Sequence, residues 1–250
     1  MEDISRVVSD FCSIRGFEAS PFKLKWYNAS VTNDKFKLTF APEDSLAFVI
    51  ISQPSMFEKT FLPFVNENWE QIQSNVIRDL LDQCMIKVLG NLKMELEIFD
   101  DQVQVMHDFE LVNGRRPKVL VQTAGHVSGA VRFYQEKDAN PDLLERRNGS
   151  KIYPVCLHPR FGGWFALRAV IILPQIQAQN LKMKEPLEIL PNSDQISELL
   201  NLYNHHWKDN RFRDCGPKIQ ERYSDVQQNY FALSPGNQRI EYLRNILQTL

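Results

Sequence analysis

Apolar and polar residues follow two different periods along this chain, and together they predict both strands and helices. The continuous apolar run from Leu46 to Ile51 is typical of a central strand buried on both faces. Lys35 to Phe40 carries a phenylalanine or leucine at every second position, which predicts a half-buried strand. Val76 to Leu89 spaces its apolar residues three and four apart, so we expect one stripe of an amphipathic helix.

Three more segments have the apolar content of strands. Met94 to Phe99 and Val103 to Leu111 are predicted to form a strand pair. Phe165 to Leu173 is predicted to be another strand, which Pro174 ends because proline cannot donate a ladder hydrogen bond. Gln175 to Pro191 has no clear period and is expected to be a loop.

Capping residues indicate where further helices begin. The N-terminal MEDISRVVSDF has helical spacing of its apolar residues. Asn192, with glutamine three residues later, predicts a capping box and a helix whose apolar stripe extends to Trp207. Ser224, again with glutamine at the third position, predicts another helix, and Ser234-Pro235 is expected to open a last one ending near Leu250. Strands and helices without strict alternation predict an α+β fold.

The domain organisation follows from length and from this order of elements. We expect residues 1–250 to form a single domain, in which a C-terminal helical segment, residues 192–250, packs on the core. Thr123 to Tyr134 carries alanine, glycine and serine at helical spacing, and such a small face permits the close approach of a helix or of a flat ligand. Close packing is the commoner cause, but the pattern leaves both readings open.

Charge and composition argue against several classes of partner. The net charge is −2, and the basic runs Arg115 to Lys118 and Arg146-Arg147 are short, so we expect solvated loops and no nucleic-acid partner. No apolar run approaches the roughly 18 residues of a membrane helix, and the acidic N-terminus does not resemble a signal peptide. We therefore expect a soluble, cytosolic protein, in which sequons such as Asn148-Gly-Ser150 have no meaning.

Familiar catalytic and metal-binding motifs do not occur in the sequence. There is no GxGxxG, GxxxxGK[ST], GxSxG or HExxH motif, and no cysteine lies in a CxxC pair, so a zinc site is not expected. Because the sequence shows no export signal, disulfides are not expected either. His205 and His206 are adjacent, which is a poor spacing for one metal ion. Cys156 and His158 could form a nucleophilic pair if they share a strand face, but a buried structural cysteine is the commoner case.

The most unusual segment is Val155 to Arg168, VCLHPRFGGWFALR. It combines a thiol, an imidazole, two guanidinium groups, a Gly-Gly pair and large aromatic residues. Gly162 and Gly163 permit a turn, or the close approach of another group, that other residues do not. The simplest interpretation is a β-turn that leads into a buried strand, with Arg160 and Arg168 on the solvent face.

This segment resembles the signature of the CblC family, the cytosolic cobalamin-processing proteins of animals. The resemblance covers about residues 16–247 and includes, in the same order, the segments PFKLKWYN, GRRPKVLVQTAGHVSGA, FYQ, HHWKDNRFRD and QERYS. It implies a flavin-nitroreductase-like α+β fold, in which helices flank a central antiparallel sheet and cobalamin occupies a large cavity.

The same resemblance implies two activities in the cytoplasm. The enzyme would bind cobalamin without its lower base, remove an upper alkyl group by transfer to glutathione thiolate, and remove cyanide reductively with reduced FMN or FAD. A CblD-type adaptor protein would be its partner, with no nucleic acid and no membrane involved. A non-catalytic cobalamin carrier and a plain flavin reductase on the same scaffold are the alternatives.

Site residues carry over from the family position by position. The resemblance implies that cobalamin contacts Asp108, Val119, Leu120, Val121, Gln122, His126, Phe133, Tyr134, Gln135, Cys156, Trp164 and Leu167. It implies that glutathione contacts Arg168, Arg213 and Arg239. No catalytic side chain and no protein-bound metal is assigned. His126 begins an HxxG motif but lacks the aspartate of the DxHxxG motif, because Ala124 stands at that position, so it is not assigned as a cobalt ligand.

Several positions differ from the vertebrate family pattern. Arg132 and Phe133 replace tyrosines, Pro154 replaces a glycine, and Asn210 replaces a tryptophan. These changes concern the wall of the implied pocket and the shielding of bound cobalamin from oxygen.

Overall fold

The computed structural model describes residues 2–74, 79–146, 151–216 and 218–248. Its α-helices are α1 (Glu2–Ser13), α2 (Leu24–Ser30), α3 (Leu62–Glu67), α4 (Trp69–Gln73), α5 (Leu80–Leu96), α6 (Val121–Val127), α7 (Ser193–His206), α8 (Asp225–Ala232) and α9 (Asn237–Leu247). Its strands are β1 (Phe17–Lys23), β2 (Ser45–Ser52), β3 (Gln104–His107), β4 (Leu111–Val112), β5 (Arg116–Pro117), β6 (Arg132–Tyr134), β7 (Val155–Leu157) and β8 (Ala166–Gln177). A π-helical turn, Phe57–Phe61, precedes α3.

A four-stranded antiparallel sheet with the order β1-β2-β8-β3 forms the centre of the fold. Every residue of β2 is buried, which confirms the central strand predicted from Leu46 to Ile51. Successive β2 side chains enter different clusters: Phe48 and Ile50 pack with α1 and α5 on one face, and Ala47 and Val49 pack with α2 and α6 on the other. The α+β prediction, with an antiparallel sheet flanked by helices, is confirmed.

Strand β8 continues through Pro174, so the prediction that this proline ends the strand is wrong. The pairing with β2 jumps from Ser45 opposite Gln177 to Leu46 opposite Leu173, and Pro174 lies inside this irregularity. A proline is tolerated there because a ladder hydrogen bond from its missing N–H is not required. The Ser45 hydroxyl donates to the Pro174 carbonyl at 3.1 Å and closes the gap.

Two predicted strands are absent from the described chain. Met94 to Leu96 form the last part of α5, so Met94–Phe99 does not pair with β3, whose partner is β8. Lys35 to Phe40 is also not a strand: its start belongs to a 3-10 turn, Asp34–Phe36. The Asn28 side chain accepts from Leu38 N at 2.9 Å and donates to Leu38 O at 3.0 Å. The Asn28 side chain thus takes up the Leu38 N–H and carbonyl groups that would otherwise bond to a neighbouring strand.

The predicted helix starts at Asn192 and Ser224 are confirmed by their caps. The Asn192 side chain accepts from Gln195 N at 2.9 Å, and the Ser224 hydroxyl accepts from Gln227 N at 3.1 Å. Helix α9 begins at Asn237, after Gly236, and therefore later than Ser234-Pro235. The predicted positions Val76, Ile77, Arg147, Asn148 to Ser150 and Leu250 lie outside the described residues.

A third apolar cluster completes the core and positions the site. It joins the β6–β7 pair to α7 and contains Tyr134, Val155, Leu157, Leu199 and Leu200. The clefts described below open where this cluster meets the α2/α6 face of the sheet. Among the described residues, no helix combines the length and the apolar character that crossing a membrane requires.

Candidate functional site

The small residues of Thr123 to Tyr134 contact protein atoms closely. Helix α6 ends at Val127, so helical spacing does not continue through this segment. A Cβ on Gly125 would lie 2.7 Å from Val131 Cγ2, and one on Gly129 would overlap the Lys184 carbonyl oxygen. Close packing within the chain, the commoner of the two readings, explains these small residues.

The segment Val155 to Arg168 contains the predicted turn. His158 N donates to Gly162 O at 2.8 Å and Gly162 N donates to His158 O at 2.9 Å, which closes a tight loop between β7 and β8. The imidazole is buried and stacks on Phe161 with ring centres 4.5 Å apart. Arg160 is exposed as expected, whereas Arg168 is buried, so the prediction of a solvent-facing Arg168 is wrong.

The Gly-Gly pair exists because the Arg213 backbone crosses directly over it. Gly162 has φ +56°, and a Cβ there would overlap the Arg213 carbonyl oxygen. A Cβ on Gly163 would lie 2.8 Å from Arg213 Cα, and Gly163 N donates to Arg213 O at 2.8 Å. Only glycine fits this crossing, which fixes the start of β8 to the segment that carries Arg213.

The Arg213 guanidinium lies among three aromatic rings. Its central carbon is 5.5, 4.9 and 5.1 Å from the ring centres of Trp164, Phe212 and Tyr223. Nε donates to Asn210 Oδ1 at 3.1 Å, and Nη1 donates to Gly163 O. No partner of Nη2 occurs within the described part of the chain. The side chain is therefore held firmly and keeps one terminal nitrogen for a ligand.

Two adjoining clefts share Arg213, together with Tyr203 and Phe212. The smaller, which we call the strand cleft, has a volume of about 360 Å³ and contains, of the residues predicted to bind cobalamin, Asp108, Val119, Leu120, Val121, Gln122, Cys156 and Leu167. The larger, the aromatic cleft, has a volume of about 880 Å³ and is lined by Tyr153, Tyr203, Asn204, Trp207, Lys208, Asn210, Phe212, Arg213, Tyr223, Gln228, Phe231 and Ala232. The expected large ligand cavity remains a prediction.

Two of the other predicted cobalamin contacts, Phe133 and Tyr134, lie on opposite faces of β6. Phe133 pairs with Cys156 across β6 and β7 and packs with the α2/α6 cluster. Tyr134 points to the opposite face and is fully buried, and its hydroxyl accepts from Ile189 N and Leu190 N at 3.0 and 2.8 Å. The structure therefore does not bring the Tyr134 ring to the strand cleft.

His126, Gln135 and Trp164 also have partners within the protein. His126 Nδ1 accepts weakly from Phe133 N at 3.5 Å, and burial, with the nearby Arg132, lowers its pKa. Gln135 caps the 3-10 turn Glu136–Asp138. Trp164 is buried beneath Arg213 and donates from Nε1 to Asp214 Oδ1 at 2.7 Å. Their roles toward cobalamin remain predictions.

Asp108 places a carboxylate with one unpaired oxygen in the strand cleft. Its Oδ1 is buried and has no hydrogen-bond partner among the described residues. Burial raises the pKa of this carboxyl, and the positive charge of Arg168 partly opposes the rise. Arg168 itself occupies a bulge, since Ile50 pairs with Ala169 and Ile51 with Leu167, and its Nε donates to Ser52 Oγ at 2.9 Å.

The comparisons with known proteins agree over almost the whole chain. The model of the methylmalonic aciduria and homocystinuria type C family matches residues 16–243. This chain belongs to that family. A chicken relative named cyanocobalamin reductase / alkylcobalamin dealkylase is 44% identical over 88% of this chain and 87% of its own length, and a human relative of the same name is 36% identical over 96% and 81%.

A solved structure supports the same assignment. The crystal structure of a C. elegans B12-trafficking protein CblC, described as a human MMACHC homologue, superposes with a TM-score of 0.85. It is 32% identical and covers 97% of this chain and 95% of the other. The resemblance to the CblC family is confirmed, and the names of the relatives support cobalamin processing.

Within this family fold, the three predicted glutathione arginines do not share one cleft. Arg239 donates from Nε to Leu233 O at 3.1 Å and from Nη2 to Phe231 O at 3.4 Å, where α8 ends. Its guanidinium carbon is 5.7 Å from the Phe231 ring, whose residue lines the aromatic cleft. Arg239 thus contacts one residue of the aromatic cleft wall, Arg213 lines both clefts, and Arg168 lies near the strand cleft.

Cys156 does not have the surroundings of a nucleophile. The thiol is buried and burial raises its pKa strongly, so the reactive thiolate is disfavoured. Both nitrogens of His158 are engaged elsewhere: Nδ1 accepts from the N–H groups of Arg160 and Phe161, and Nε2 pairs with Glu18. This pairing leaves no base for a Cys156–His158 couple.

Most of the aromatic cleft is not predicted by the sequence patterns. The apolar stripe of the helix that follows Asn192 extends to Trp207, but Trp207 is 58% exposed and lines the cleft together with Tyr203. Phe212, Tyr223 and Phe231 come from separate segments. The available signal was the density of aromatic and basic residues in HHWKDNRFRD and QERYS, beyond the needs of a helical core.

Proposed function

We propose that this protein is a cobalamin-processing enzyme that removes the upper ligand of alkyl- and cyanocobalamins. It would bind cobalamin with the lower base displaced, transfer an alkyl group to glutathione thiolate, and eliminate cyanide reductively with reduced FMN or FAD. The observation that carries the proposal is the strand cleft, which gathers the Val119 to Gln122 segment, Asp108, Cys156 and Leu167 in one wall of a family fold whose relatives bear these activity names.

The strand cleft suits a ligand with an apolar face and amide arms. Val119, Val121 and Leu167 supply apolar wall, while the exposed Gln122 and the unpaired Asp108 Oδ1 supply hydrogen-bonding groups. Pairing that buried oxygen with an amide N–H would remove an uncompensated desolvation cost. Phe133, which faces the Cys156 side of β6, would extend the apolar surface.

Arg213 is suited to orient the thiol substrate. Glutathione carries two carboxylates. A guanidinium held by Asn210 and Gly163, whose Nη2 has no partner among the described residues, would bind one of them at the boundary of both clefts. The thiolate sulfur would form a bond to the alkyl carbon while the carbon–cobalt bond breaks. The electron pair stays on cobalt, which gives a thioether and cob(I)alamin. The protein accelerates this step mainly by positioning.

The aromatic cleft fits a flat, anionic cofactor. Its walls combine tyrosine, tryptophan and phenylalanine side chains with the cationic Lys208 and Arg213, which would hold an aromatic ring system and a phosphate. Reduced flavin bound there would supply the electron for cyanide removal. Since Arg213 serves both clefts, flavin and glutathione would compete for it.

Other parts of the proposal rest on the family resemblance. We assign residues 1–250 to one processing domain with a flavin-nitroreductase-like scaffold, a cytoplasmic location and a CblD-type adaptor partner. The crystal-structure relative is described as B12-trafficking, which also favours transfer of cobalamin to another protein. A carrier would keep the strand cleft without turning over its ligand.

An anaerobic absorbance titration with methylcobalamin, followed by glutathione, tests the function. We expect a shift to the base-off spectrum and then conversion to cob(I)alamin. A base-off shift without conversion by glutathione or by reduced flavin would identify a carrier. If no shift occurs, cobalamin is not the ligand, and a flavin reductase becomes the working hypothesis.

Arginine variants test the thiol site separately. Arg213→Ala should reduce glutathione-dependent dealkylation by about tenfold or more, because it removes a charge-assisted carboxylate contact. Its affinity for methylcobalamin should change much less. Arg160→Ala is the matched control, since Arg160 is exposed and lines neither cleft. Equal losses of cobalamin affinity and of glutathione use in Arg213→Ala would contradict the assignment.

A further inference from the structure

A chain of contacts begins at Glu18, on β1, and ends at Arg213. Glu18 Oε1 lies 2.5 Å from His158 Nε2, and Glu18 also pairs with Arg160 and accepts from Gln53 Nε2 at 3.3 Å. The His158 side chain is only 4% exposed, and that of Glu18 is 20% exposed. Burial would raise the pKa of Glu18, but the hydrogen bond from His158 and the positive charge of Arg160 lower it overall. The carboxylate is therefore the stable form in this pair.

The hydrogen bonds of His158 fix its tautomer. Nδ1 accepts from Arg160 N at 3.1 Å and from Phe161 N at 3.3 Å, so it carries no proton. The ring proton is therefore on Nε2, which donates a hydrogen bond to Glu18 Oε1. An imidazole held from both sides in this way fixes the loop between residues 158 and 162 relative to the sheet.

The loop transmits this position to Arg213. Gly162 and Gly163, at its end, lie against the Arg213 backbone, and Gly163 exchanges two hydrogen bonds with that residue: its N–H donates to Arg213 O, and its carbonyl accepts from Arg213 Nη1. A shift of the loop would therefore displace the guanidinium that both clefts share.

From these contacts we infer that Glu18 and His158 are positioning residues, which set the orientation of Arg213 toward the thiol substrate through the Gly162–Gly163 crossing. This inference deepens the proposed function and rests on it for the identity of that substrate. Neither residue lines a cleft, so their effect on the reaction is indirect. Small misplacements of an orienting group are enough to reduce the rate strongly.

Two variants remove or weaken the His158–Glu18 contact while the hydrogen bonds inside the loop are kept. His158→Asn keeps a side-chain oxygen that accepts from the loop N–H groups, as in an Asx turn, but it cannot reach Glu18. Glu18→Gln keeps an acceptor for Nε2 and removes the charge, so it is the milder change. Arg160→Gln is the control, because it removes a half-exposed ion pair to the same carboxylate and a cation–π contact with Phe161 but leaves the Glu18–His158 pair in place.

The first measurement is glutathione-dependent dealkylation of methylcobalamin by the full-length protein. We expect His158→Asn to raise the KM for glutathione by about tenfold while methylcobalamin affinity stays within about twofold. Glu18→Gln should have a smaller effect in the same direction. Combined with Arg213→Ala, His158→Asn should cause no further loss, because both act through one guanidinium. Additive losses in this double variant would overturn the inference.

Site-resolved amide hydrogen exchange gives a readout that does not need activity. Gly163 N–H donates to Arg213 O at 2.8 Å, so its exchange should accelerate at least about tenfold in His158→Asn and stay unchanged in Arg160→Gln. Unchanged exchange in a folded His158→Asn would reject the positioning role. If the wild-type protein does not use glutathione, the proposed function fails, and the exchange result still decides whether Glu18 and His158 hold the crossing.

Discussion

At the scale of single residues, the Gly162 position is the most constrained backbone site near the clefts. Gly162→Ala would place an L side chain at φ +56° and against the Arg213 carbonyl oxygen. We expect a loss of about 2 kcal/mol or more in unfolding free energy, measured by urea denaturation. Gly90→Ala, in α5 with no atom near the new methyl group, should instead gain about 0.5–1 kcal/mol. Equal effects of the two changes would contradict this account.

Asn210 has two separable roles, and both concern Arg213. It adopts the left-handed conformation with φ +63°, and its Oδ1 accepts from Arg213 Nε at 3.1 Å. Asn210→Gly keeps the backbone but removes the bond, so stability should change little while the glutathione KM rises several-fold. Asn210→Ala should show the same KM and also lose about 1 kcal/mol of stability. An unaltered KM in both variants would show that this bond does not orient Arg213.

At the scale of elements, the alternation of β6 assigns different roles to Phe133 and Tyr134. Tyr134→Phe would leave the buried Ile189 and Leu190 N–H groups without an acceptor, at a cost of about 1–3 kcal/mol in unfolding free energy. Its affinity for methylcobalamin should stay within about twofold. Phe133→Ala should cost more free energy of methylcobalamin binding than free energy of unfolding, because the Phe133 ring lies on the same face of the β6–β7 pair as Cys156, which lines the strand cleft. The reverse pattern would place Tyr134 at the ligand and Phe133 in the support of the fold.

Elements defined by local periodicity or capping were predictable from the sequence. The buried strand at Leu46 to Ile51 and the caps at Asn192 and Ser224 depend on residues within a few positions of each other. The errors have long-range causes. Lys35 to Phe40 has strand periodicity, but the Asn28 side chain takes the place of a partner strand. Pro174 should end a strand, but a register shift opposite Ser45 accommodates it.

The site was predictable in part, and only through family resemblance. Resemblance predicted cobalamin contacts at Val119 to Gln122, and these residues line the strand cleft. Nothing local to the sequence reveals that Gly162 lies under Arg213, since the two are far apart in the chain. Resemblance also placed Arg239 with Arg213, although the hydrogen bonds of Arg239 go to carbonyl groups at the end of α8. Family resemblance identifies the residues that members share, but it does not show which of these residues face the ligand.

At the scale of the whole molecule, the clefts open where separate parts of the chain meet. The sheet supplies Leu167, the turn after β3 supplies Asp108, the β6–β7 pair supplies Cys156, and the C-terminal segment supplies Arg213 and Phe231. One arginine, clamped to a glycine pair by backbone contacts, connects these parts. Changes in the C-terminal helices should therefore alter the position of Arg213, and with it the proposed thiol and flavin reactions, before they alter the apolar wall of the strand cleft.

A partly buried carboxyl near Asp108 and Arg168 also makes the stability of the protein depend on pH. Asp82, in the first turn of α5, has its pKa raised to about 6 by burial and by the negative charges of Asp79 and Asp108, while Arg168 opposes the rise. The helix start favours a negative charge by about 0.3–1 kcal/mol, and by up to about 2 kcal/mol where the group is partly buried, but the pKa of Asp82 is raised nonetheless. A carboxyl whose pKa is raised on folding binds its proton more tightly in the native state than in the unfolded chain.

The contribution of protonated Asp82 to the free energy of unfolding is therefore fully present below about pH 4. It is lost as the pH rises through about 6. Asp82→Asn should match the wild type at pH 4 and exceed it at pH 7.5 by about 1 kcal/mol, because solvent screens part of the penalty. Urea unfolding at several pH values measures the difference, and Asp10→Asn on the exposed face of α1 is the control. A gain that is equal at both pH values would mean that hydrogen bonding, and not charge, distinguishes the variant. A loss at pH 7.5 would show that the ionised Asp82 is stabilised, against the buried-carboxylate argument.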